Sequence, residues 1–493
     1  MVASQTPTPD ASCDVAIVGA GPSGLAAAAL LREHGVGVTI IDEQPRAGGQ
    51  ILRQPPRGFA VERWLPAKLY DRVKLALQAV NERADIDWRL QSTVLGSASQ
   101  SPYRIRNKQS AAHDLWIQGP SGCYLLRANA VLMAPGCYER PLAFPGWTLP
   151  GVMGAGAIQG FVKSQQFVPG NRFVLAGSHP LQLVVADQLL SAGAQIAAVV
   201  FTQQKRRALA MLRNPFVALR HRRQLFETAK ILNRLQRARV PVLFGSTMLR
   251  VDGTDSVERA TIATLRADGS IDRERTQVLE CDRVGICHGF LASSELVRQA
   301  GAKVHWREHA GGWLADHDEW YQSSVANLFV AGEITGVDGA DAALEKGRIA
   351  AAGILRALGR VDDRQAQQLA HSARRCLQRI DRFAELLHEL ARPPAGLALE
   401  SMSDESILCR CESISCGQLR SQLVDHPHVM SADAAKLLTR VGMGLCQGRM
   451  CGDNVARVIA SMRGVVASEV GAFQAQAPVK PVPLDLLVRG RCG

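Results

Sequence analysis

The sequence lacks any uninterrupted apolar run close to the ~18 residues that a membrane-spanning helix needs. Its first residues, MVASQTPTPDAS, also lack the basic stretch and the apolar core of a secretory signal. These absences predict a cytoplasmic protein, with peripheral contact at the inner membrane as an alternative. Because cytoplasmic thiols stay reduced, the twelve cysteines are better explained by metal binding or burial than by disulfide bonds.

The spacing C-x-x-C is missing as well, which excludes a redox-active dithiol of the thioredoxin-reductase type. Cys137 stands alone after a turn, and a solitary cysteine of this kind is more often a small buried side chain than a nucleophile. No convincing acid–base pair stands out either, so the sequence assigns no catalytic residue.

Acidic residues are scarce in one segment. Residues 205–239 contain eleven Lys and Arg against the single acid Glu227, a local charge of +10 (11 − 1). The whole chain carries +12, so the remainder is nearly neutral (12 − 10 = 2). We expect a solvated amphipathic helix, or a surface for a nucleotide phosphate, an anionic membrane or an acidic partner. Nucleic acid is disfavoured because no binding motif accompanies the charge. The apolar face of this helix is predicted at Leu225, Ala229, Leu232 and Leu235.

The chain has 493 residues, enough for about three domains. Its 44 glycines and its apolar content of 47% are typical of a soluble α/β protein. The strand VAIV (15–18) runs into Gly19-Ala20-Gly21-Pro22-Ser23-Gly24, an alanine-rich helix, and a second strand that ends in Asp42. This arrangement is a βαβ unit with the G-x-G-x-x-G fingerprint of dinucleotide binding.

Each glycine of that fingerprint has a mechanical reason. Gly19 permits the tight turn, Gly21 lets a pyrophosphate approach the backbone, and Gly24 allows close helix–strand packing. The helix N-terminus offers unpaired N–H groups to the phosphates, and Asp42 can accept a hydrogen bond from a ribose hydroxyl.

Three further segments resemble the pyridine-nucleotide-disulfide-reductase-like flavoproteins, and the resemblance implies FAD. The first is PRAGGQ, which contains Gly49 and Gln50, and the second is AVLMAPG, which ends at Gly136. The third, NLFVAGEITGVDGADAALEKG (327–347), resembles the closing motif of these proteins. In that motif the residues at Gly332 and Glu333 meet the flavin, and the acid bonds the ribityl chain; many relatives carry Asp where this chain has Glu333.

A second strand–turn–helix–strand unit occupies residues 173–201, but its fingerprint is degenerate. His179 and Gln182 replace the second and third glycines after Gly177. A side chain at 179 obstructs the approach of a pyrophosphate, and Gln182 disturbs close helix–strand packing. We therefore expect the fold to be retained and nicotinamide binding to be lost; ATP or no ligand are the alternatives to NAD(P).

Four cysteines form the pattern C-x-C-x34-C-x4-C, namely Cys409, Cys411, Cys446 and Cys451. Four thiolates select zinc or iron–sulfur, and neither pair has the C-x2-C spacing usual for zinc. Glycines around the second pair would let backbone N–H groups approach the sulfurs and tune a cluster. These features favour a [2Fe–2S] cluster, with zinc or no metal as alternatives.

The segment 408–454 resembles the bacterioferritin-associated-ferredoxin-like [2Fe–2S] domain. Together with GCYERPLAFPGWTLPGVM (136–153), the chain resembles one family of α (A) subunits. Opine oxidases, D-hydroxyproline dehydrogenases and hydrogen cyanide synthase (its B subunit) belong to it. The resemblance implies FAD at Gly19, Gly21, Gly24, Asp42 and Glu333, and a [2Fe–2S] cluster on the four cysteines.

The expected architecture is an α/β two-dinucleotide-domain flavoprotein with a small helical C-terminal cluster domain. The helical connector is predicted from apolar positions at 3–4 spacing, ending at Pro393-Pro394. The expected segments are 10–150 and 281–360 (a split Rossmann-like FAD domain), 151–280 (the inserted nucleotide-like domain), 361–400 (a helical connector), 401–465 (the [2Fe–2S] domain) and 466–493 (a proline-rich, extended tail).

We predict an electron-transfer subunit of an FAD-dependent dehydrogenase acting on CH–NH bonds. A flavin collects two electrons and the cluster passes them singly toward a quinone or other acceptor. The resemblance implies a β subunit that carries a second flavin and the substrate site, and, as a further partner, a small γ subunit. The alternative is a self-sufficient NAD(P)H-dependent flavin/iron–sulfur reductase.

Overall fold

The computed structural model describes residues 9–51, 77, 79–80, 82–97, 112–205 and 222–489. The first eight residues, part of the basic segment (206–221) and the end of the tail (490–493) lie outside this part. Expectations that depend on those residues are therefore not addressed by the structure.

The strands of the described part fall into three main sheets and three short hairpins or strand pairs. In chain order they are β1 Ala11–Val18, β2 Val38–Asp42, β3 Asp87–Leu90, β4 Thr93–Ser97, β5 His113–Gly119, β6 Gly122–Met133, β7 Cys137–Glu139, β8 Val152–Gly154, β9 Arg172–Gly177, β10 Gln195–Phe201, β11 Val242–Phe244, β12 Ser246–Asp252, β13 Arg259–Leu265, β14 Ile271–Glu280, β15 Arg283–Cys287, β16 Phe290–Ala292, β17 Val304–Arg307, β18 Gly312–Ala315, β19 Leu328–Val330, β20 Ile407–Cys409 and β21 Ile414–Ser415.

The helices flank these sheets and make up most of the C-terminal third. They are α1 Pro22–Glu33, α2 Ala155–Ser164, α3 Leu181–Ser191, α4 Arg222–Arg237, α5 Glu295–Gln299, α6 Ala340–Ala357, α7 Asp363–Ala391, α8 Leu397–Ser401, α9 Cys416–Asp425, α10 Ala432–Thr439, α11 Gly452–Arg463, α12 Ala467–Val470 and α13 Leu484–Arg489, with a 3-10 turn at Gly332–Thr335.

The first sheet has the strand order β3-β2-β1-β6-β5-β4. Strand β1 pairs in parallel with β2 on one side and with β6 on the other, which is the arrangement of a βαβ unit. Strand β19 comes from much later in the chain and joins the same sheet in parallel with β6. The sheet is therefore built from two separated stretches of sequence, as expected for a split domain.

The second sheet has the order β11-β10-β9-β15-β8, and its central strands are parallel. Strand β15 (Arg283–Cys287) lies in this sheet although the sequence assigned residues from 281 to the flavin part. Because β15 belongs to the second sheet, the domain boundary expected at residue 280 lies too early in the chain. Sequence reading missed this because a short apolar strand carries no mark of the sheet that it joins.

The connector helix is confirmed. Helix α7 begins after Asp362, whose side chain accepts a hydrogen bond from the Gln365 N–H while Gln365 bonds back to the Asp362 N–H. Such a capping box satisfies two otherwise unpaired donors. The helix ends before Pro393 and buries alanines and Leu377 against α6. At 29 residues it is the longest described helix, and none of the described helices has the length and hydropathy to cross a membrane.

The basic segment contains the predicted helix, but its apolar face is rotated from the expected one. In α4 the fully or nearly buried side chains are Ile231 and Leu235, whereas Ala229 is exposed and Leu232 is 37% exposed. The prediction was right for Leu235. It failed at Ala229 and Leu232 because several apolar registers are available in this segment and only packing on the second sheet selects one.

Close helix packing on the first sheet generates a stability prediction. A Cβ atom at Gly347 of α6 would lie 2.1 Å from the carbonyl oxygen of Ser23 in α1. Gly347→Ala should therefore lower the free energy of unfolding by about 1–3 kcal/mol, since backbone must move apart. Arg360→Ala, an exposed change just after α6, should stay within about 0.5 kcal/mol. Denaturant unfolding of the two variants measures the difference, and equal stabilities would contradict the packing argument.

Candidate functional site

The glycines of the first fingerprint meet the geometric demands that the sequence indicated. Gly19 has φ +106°, and a Cβ there would lie 2.3 Å from the Ala134 carbonyl oxygen. A Cβ at Gly24 would lie 2.0 Å from the Gly19 carbonyl oxygen and 3.0 Å from Ile17. Any larger residue would push α1 away from β1, so both glycines serve the tight turn and the close helix–strand contact.

Gly21 differs from its two neighbours. It is the N-cap of α1, and a Cβ built on it meets no atom within 4 Å. The first N–H groups of a helix have no partner within the helix, and they favour negative charge. The open space above Gly21 therefore fits a pyrophosphate placed on the end of α1.

The carboxylate of Asp42 lies at the end of β2. One oxygen accepts a hydrogen bond from the Ala20 N–H (2.7 Å) and the other from the Gln44 N–H (2.8 Å). Burial raises the pKa of this carboxyl, while the two N–H donors act in the opposite direction. Asp42 thus fixes the fingerprint loop against β2 and keeps acceptor capacity for a ribose hydroxyl.

A cavity of about 1690 Å³ opens at these carboxyl ends of β1 and β2. Its lining includes Gly19 and Asp42 of the first βαβ unit, Gly49, Gln50 and Cys137, and also Cys446 and Arg449 of the C-terminal part. The crevice beyond the carboxyl ends of parallel strands is where doubly wound folds bind their ligands. Here that crevice extends to one of the four predicted cluster cysteines.

The loop with Gly49 and Gln50 lies against the fingerprint. Gly49 has φ +57°, and its Cβ would lie 2.9 Å from the Gly21 Cα. The Gln50 side chain donates to the Cys137 carbonyl oxygen at 3.4 Å. Gly136, the next predicted residue, adopts φ +80° and turns the chain from β6 into β7.

Glu333 is partly buried beside the cavity and has an unexpected neighbour. The Cys137 thiol donates a hydrogen bond to its carboxylate at 2.6 Å. Burial raises the pKa of Glu333 and, still more, that of the Cys137 thiol, which therefore stays protonated. Gly332 (φ +78°) starts the 3-10 turn and packs on Ser23 of α1. The Cys137–Glu333 pair was invisible in the sequence because 196 residues separate the two.

The second fingerprint is filled by its own side chains. The imidazole Nδ1 of His179 accepts a hydrogen bond from the Leu181 N–H (3.2 Å) at the start of α3, and the ring packs edge-on against Phe290 at 5.2 Å. Burial lowers the pKa of His179 to about 4, so the ring is neutral at pH 7 and can accept this bond. Gln182 is fully buried. The position that a pyrophosphate would take on α3 is thus held by His179.

The C-terminal part brings the four predicted cysteines together. Cys409 and Cys411 lie on the β20–β21 hairpin, while Cys446 lies in a loop and Cys451 caps α11. The thiols associate as two hydrogen-bonded pairs, Cys409 with Cys451 and Cys411 with Cys446. Cys409 and Cys451 are buried and Cys411 is exposed.

Backbone N–H groups surround these sulfurs. Hydrogen bonds to Cys409 lower the pKa of its thiol to about 5; the largest comes from Cys451, and others come from the N–H groups of Gly442, Glu412 and Cys411. The same contact with Cys409 raises the pKa of Cys451. For Cys446, burial raises the pKa of the thiol, whereas hydrogen bonds from the N–H groups of Met450 and Gly448 act to lower it. This donor set stabilises negative charge on sulfur.

The glycines of this loop also have packing reasons that the sequence did not indicate. Gly442 and Gly448 both adopt φ +84°, and a Cβ at either would lie within 2.7 Å of the Phe473 ring. A Cβ at Gly444 would lie 2.1 Å from the Cys411 Cβ. The loop is therefore pressed between a tail aromatic and the hairpin that carries the first cysteine pair.

In the described part of the chain, no group of three or more His, Cys, Asp or Glu side chains is arranged to hold a metal ion. The four cysteines form two pairs, as described above. Three residues that sequence reading missed line the cavity near Cys446: Tyr138, Glu295 and Arg449. Tyr138 and Arg449 stand in the motifs GCYERP and CQGRMC, but only folding relates them to Glu295.

Two nucleotide-type sheets and a cavity at the carboxyl ends of β1 and β2 define a two-dinucleotide-domain flavoprotein. Residues 13–352 match the pyridine nucleotide-disulphide oxidoreductase family, and the chain belongs to this family. It is thus an oxidoreductase flavoprotein, and FAD is the cofactor that the family supports.

The individual relatives confirm the resemblance expected from the sequence. Over 479 residues the chain is 32% identical to the A subunit of opine oxidase from Rhizobium meliloti (strain 1021), covering 96% of this chain and 97% of that protein. It is 30% identical over 481 residues to the HcnB subunit of hydrogen cyanide synthase from Pseudomonas protegens, covering 96% and 97%. The alpha subunit of sarcosine oxidase from Corynebacterium sp. (strain P-1) is 28% identical over 359 residues, or 70% of this chain and 33% of that protein.

Among solved structures, L-proline dehydrogenase from P. horikoshii has the same fold. The TM-score is 0.67 at 19% identity, and the match covers 98% of this chain and 82% of that chain. The expected α/β flavoprotein fold class is therefore confirmed.

The open space at Gly21 generates a test of the flavin site. Gly21→Ser should weaken FAD binding at least about tenfold, because a side chain enters the space proposed for the pyrophosphate. Serine is a favoured N-cap residue, so the stability of the FAD-free protein should change by less than about 0.5 kcal/mol. Titration of FAD-free protein with FAD, alongside thermal unfolding without FAD, measures both effects. Unchanged affinity would place the pyrophosphate elsewhere.

Proposed function

We propose that the chain is the FAD- and [2Fe–2S]-containing electron-transfer subunit of a heteromeric amine or amino-acid dehydrogenase. One observation carries this proposal: the cavity lined by the FAD fingerprint is also lined by Cys446, a member of a four-cysteine group. A flavin and a cluster held at one cavity could exchange electrons without a diffusing carrier.

The residues present fit FAD. The free space at Gly21 accommodates a pyrophosphate on the end of α1, and Asp42 is placed for a ribose. Gly49 and Gln50 line the cavity, Gly136 turns the chain just before the lining residue Cys137, and Glu333, which follows Gly332, bonds to Cys137. FAD supplies the capacity to accept two electrons and release them singly.

The cysteines fit a two-iron cluster better than a zinc ion. Cys451 interacts with each of the other three thiols, so all four lie close together. Neither cysteine pair has the C-x2-C spacing usual for zinc, which favours the cluster. The N–H groups directed at Cys409 and Cys446 add the hydrogen bonds that tune a cluster's potential.

The printed names of the relatives support a C–N substrate and a partner chain. The opine oxidase, hydrogen cyanide synthase and sarcosine oxidase relatives are each named as one subunit of their enzyme. We propose that a β subunit with its own flavin oxidises an opine, a D-hydroxyproline or a related amine. The chain would receive those electrons and pass them to a quinone or another acceptor. A small γ subunit is a further proposed partner.

The rival function is an NAD(P)H-dependent reductase that needs no partner. It requires a nicotinamide nucleotide on the second sheet, where His179 and the buried Gln182 hold the helix end. No observation on the described part of the second sheet favours it.

The cluster can be tested by elemental analysis and one substitution. Anaerobically purified protein should contain iron and acid-labile sulfide in equal amounts, with the visible and paramagnetic spectra of a [2Fe–2S] cluster when reduced. Cys411→Ser should lose most of both, and Cys411 is the best choice because its exposure spares the core. Cys376→Ser, on the distant helix α7, should keep them. Wild-type protein free of iron and sulfide would refute the cluster.

If the substrate is oxidised on a partner subunit, the isolated chain should not reduce its flavin with substrate. Under anaerobic conditions, neither NADH nor proline, sarcosine or an opine should bleach the flavin of the chain alone within minutes, whereas dithionite should. Rapid bleaching by NADH would support the reductase. Rapid bleaching by an amine would mean that this chain has its own substrate site.

A further inference from the structure

A second cavity, of about 560 Å³, lies between the flavin-side strands and the cysteine loop. The two cavities share a partition, because Tyr138, Glu295, Arg449 and Val479 line both of them. Tyr138 follows Cys137 directly, and Arg449 stands between Cys446 and Cys451. The partition therefore reaches from the flavin side of the molecule to the cysteine loop.

The guanidinium of Arg449 is the centre of this partition. Its Nη1 donates to the Cys446 carbonyl oxygen (3.3 Å), and its Nη2 donates to the Val479 carbonyl oxygen (3.0 Å). Its Nε lies 3.5 Å from the Glu295 carboxylate, and the side chain is only 16% exposed. One side chain thus ties together the cysteine loop, the C-terminal tail and the flavin-side helix α5.

Each partner of Arg449 is fixed in turn. The Glu295 carboxylate accepts hydrogen bonds from the Tyr138 hydroxyl (3.2 Å) and the Ser293 hydroxyl (3.1 Å). On the tail, the Val479 N–H donates to the Leu95 carbonyl oxygen of β4 at 2.8 Å. The tail is therefore anchored to the first sheet and Glu295 to β7, so Arg449 cannot move without moving the loop that bears Cys446.

We propose that Arg449 is a positioning residue that fixes the Cys446 loop beside the flavin cavity through Glu295, Val479 and the Cys446 carbonyl. The inference rests on the proposed function. With both groups bound, FAD would supply single electrons to a cluster on the four cysteines. The contacts of Arg449 would then set the separation on which the rate of that transfer depends.

Arginine is required here by geometry as well as by charge. Its planar fork presents five N–H donors in fixed directions, which lets it bond two carbonyls and a carboxylate at once. Lysine keeps the charge but acts as a point donor on a flexible stem. The Arg449→Lys and Arg449→Gln variants therefore separate charge from position.

The experiment uses flash photoreduction of the flavin by a deazaflavin and follows cluster reduction spectroscopically. Arg449→Gln and Arg449→Lys should both slow flavin-to-cluster transfer by about tenfold or more, since misplacing reacting groups by about 1 Å can cost about 100-fold. Only Arg449→Gln should shift the cluster to a lower reduction potential, because it alone removes the positive charge. A wild-type rate in either variant would overturn the proposal.

Two further variants guard the interpretation. Glu295→Ala lies far from the cysteines in sequence and should slow transfer similarly with full iron content, so it tests the partition even if changes at Arg449 impair cluster assembly. Arg440→Gln removes a cation that pairs with Glu412 on the hairpin side (2.9 Å) and should leave the rate unchanged. Equal slowing in Arg440→Gln would overturn the proposal in favour of a general charge effect. Protein without iron and sulfide would instead refute the proposed function.

Discussion

Opposite charges join α11, which follows the cysteine loop, to the end of β7 and the β17–β18 turn, and the candidate redox arrangement depends on this junction. Asp453, two residues after Cys451, lies 3.1 Å from Arg457 and 3.7 Å from Arg140. Arg457 also contacts Glu308 at 2.9 Å. Buried charges are costly to desolvate and specify one arrangement only when each finds its partner. Here the partners come from the end of β7, from the β17–β18 turn and from α11, so the two parts meet in one register.

The glycine-rich loop then determines how closely the pieces approach. Gly442 and Gly448 let the Phe473 ring lie on the backbone, and Gly444 lets the hairpin with Cys411 come close. The Phe473 carbonyl oxygen accepts a bond from Arg298 at 2.6 Å, which links the tail to α5. The tail thus holds the loop from one side while the charge cluster holds α11 from another. Neither contact alone would fix the direction in which Cys446 faces the cavity.

Local patterns were sufficient wherever the function of a residue depends on its own backbone. Gly19 and Gly24, Asp42 at the end of β2 and the capped helix α7 could all be predicted from short stretches. Long-range relations could not be predicted. The sequence of β15 does not indicate which sheet the strand joins. Nor do the sequences around Glu333 and Arg449 indicate that these residues contact Cys137 and Glu295. In each case the packing of distant segments selects the partner, and hydrophobic periodicity predicts only local structure.

The second nucleotide-type unit has a structural reason to persist whatever it binds. Val174, Ala176 and Val200 of its sheet belong to the same buried core as Leu408, Leu419 and Ile459 of the C-terminal part. The β12–β14 sheet adds Val251 and Ile262 to that core. A small helical domain buries little apolar surface alone, so a shared core stabilises it. Removing the second unit would therefore remove part of the core on which the cysteine-bearing segments pack. Losing only its glycine fingerprint leaves this shared core intact.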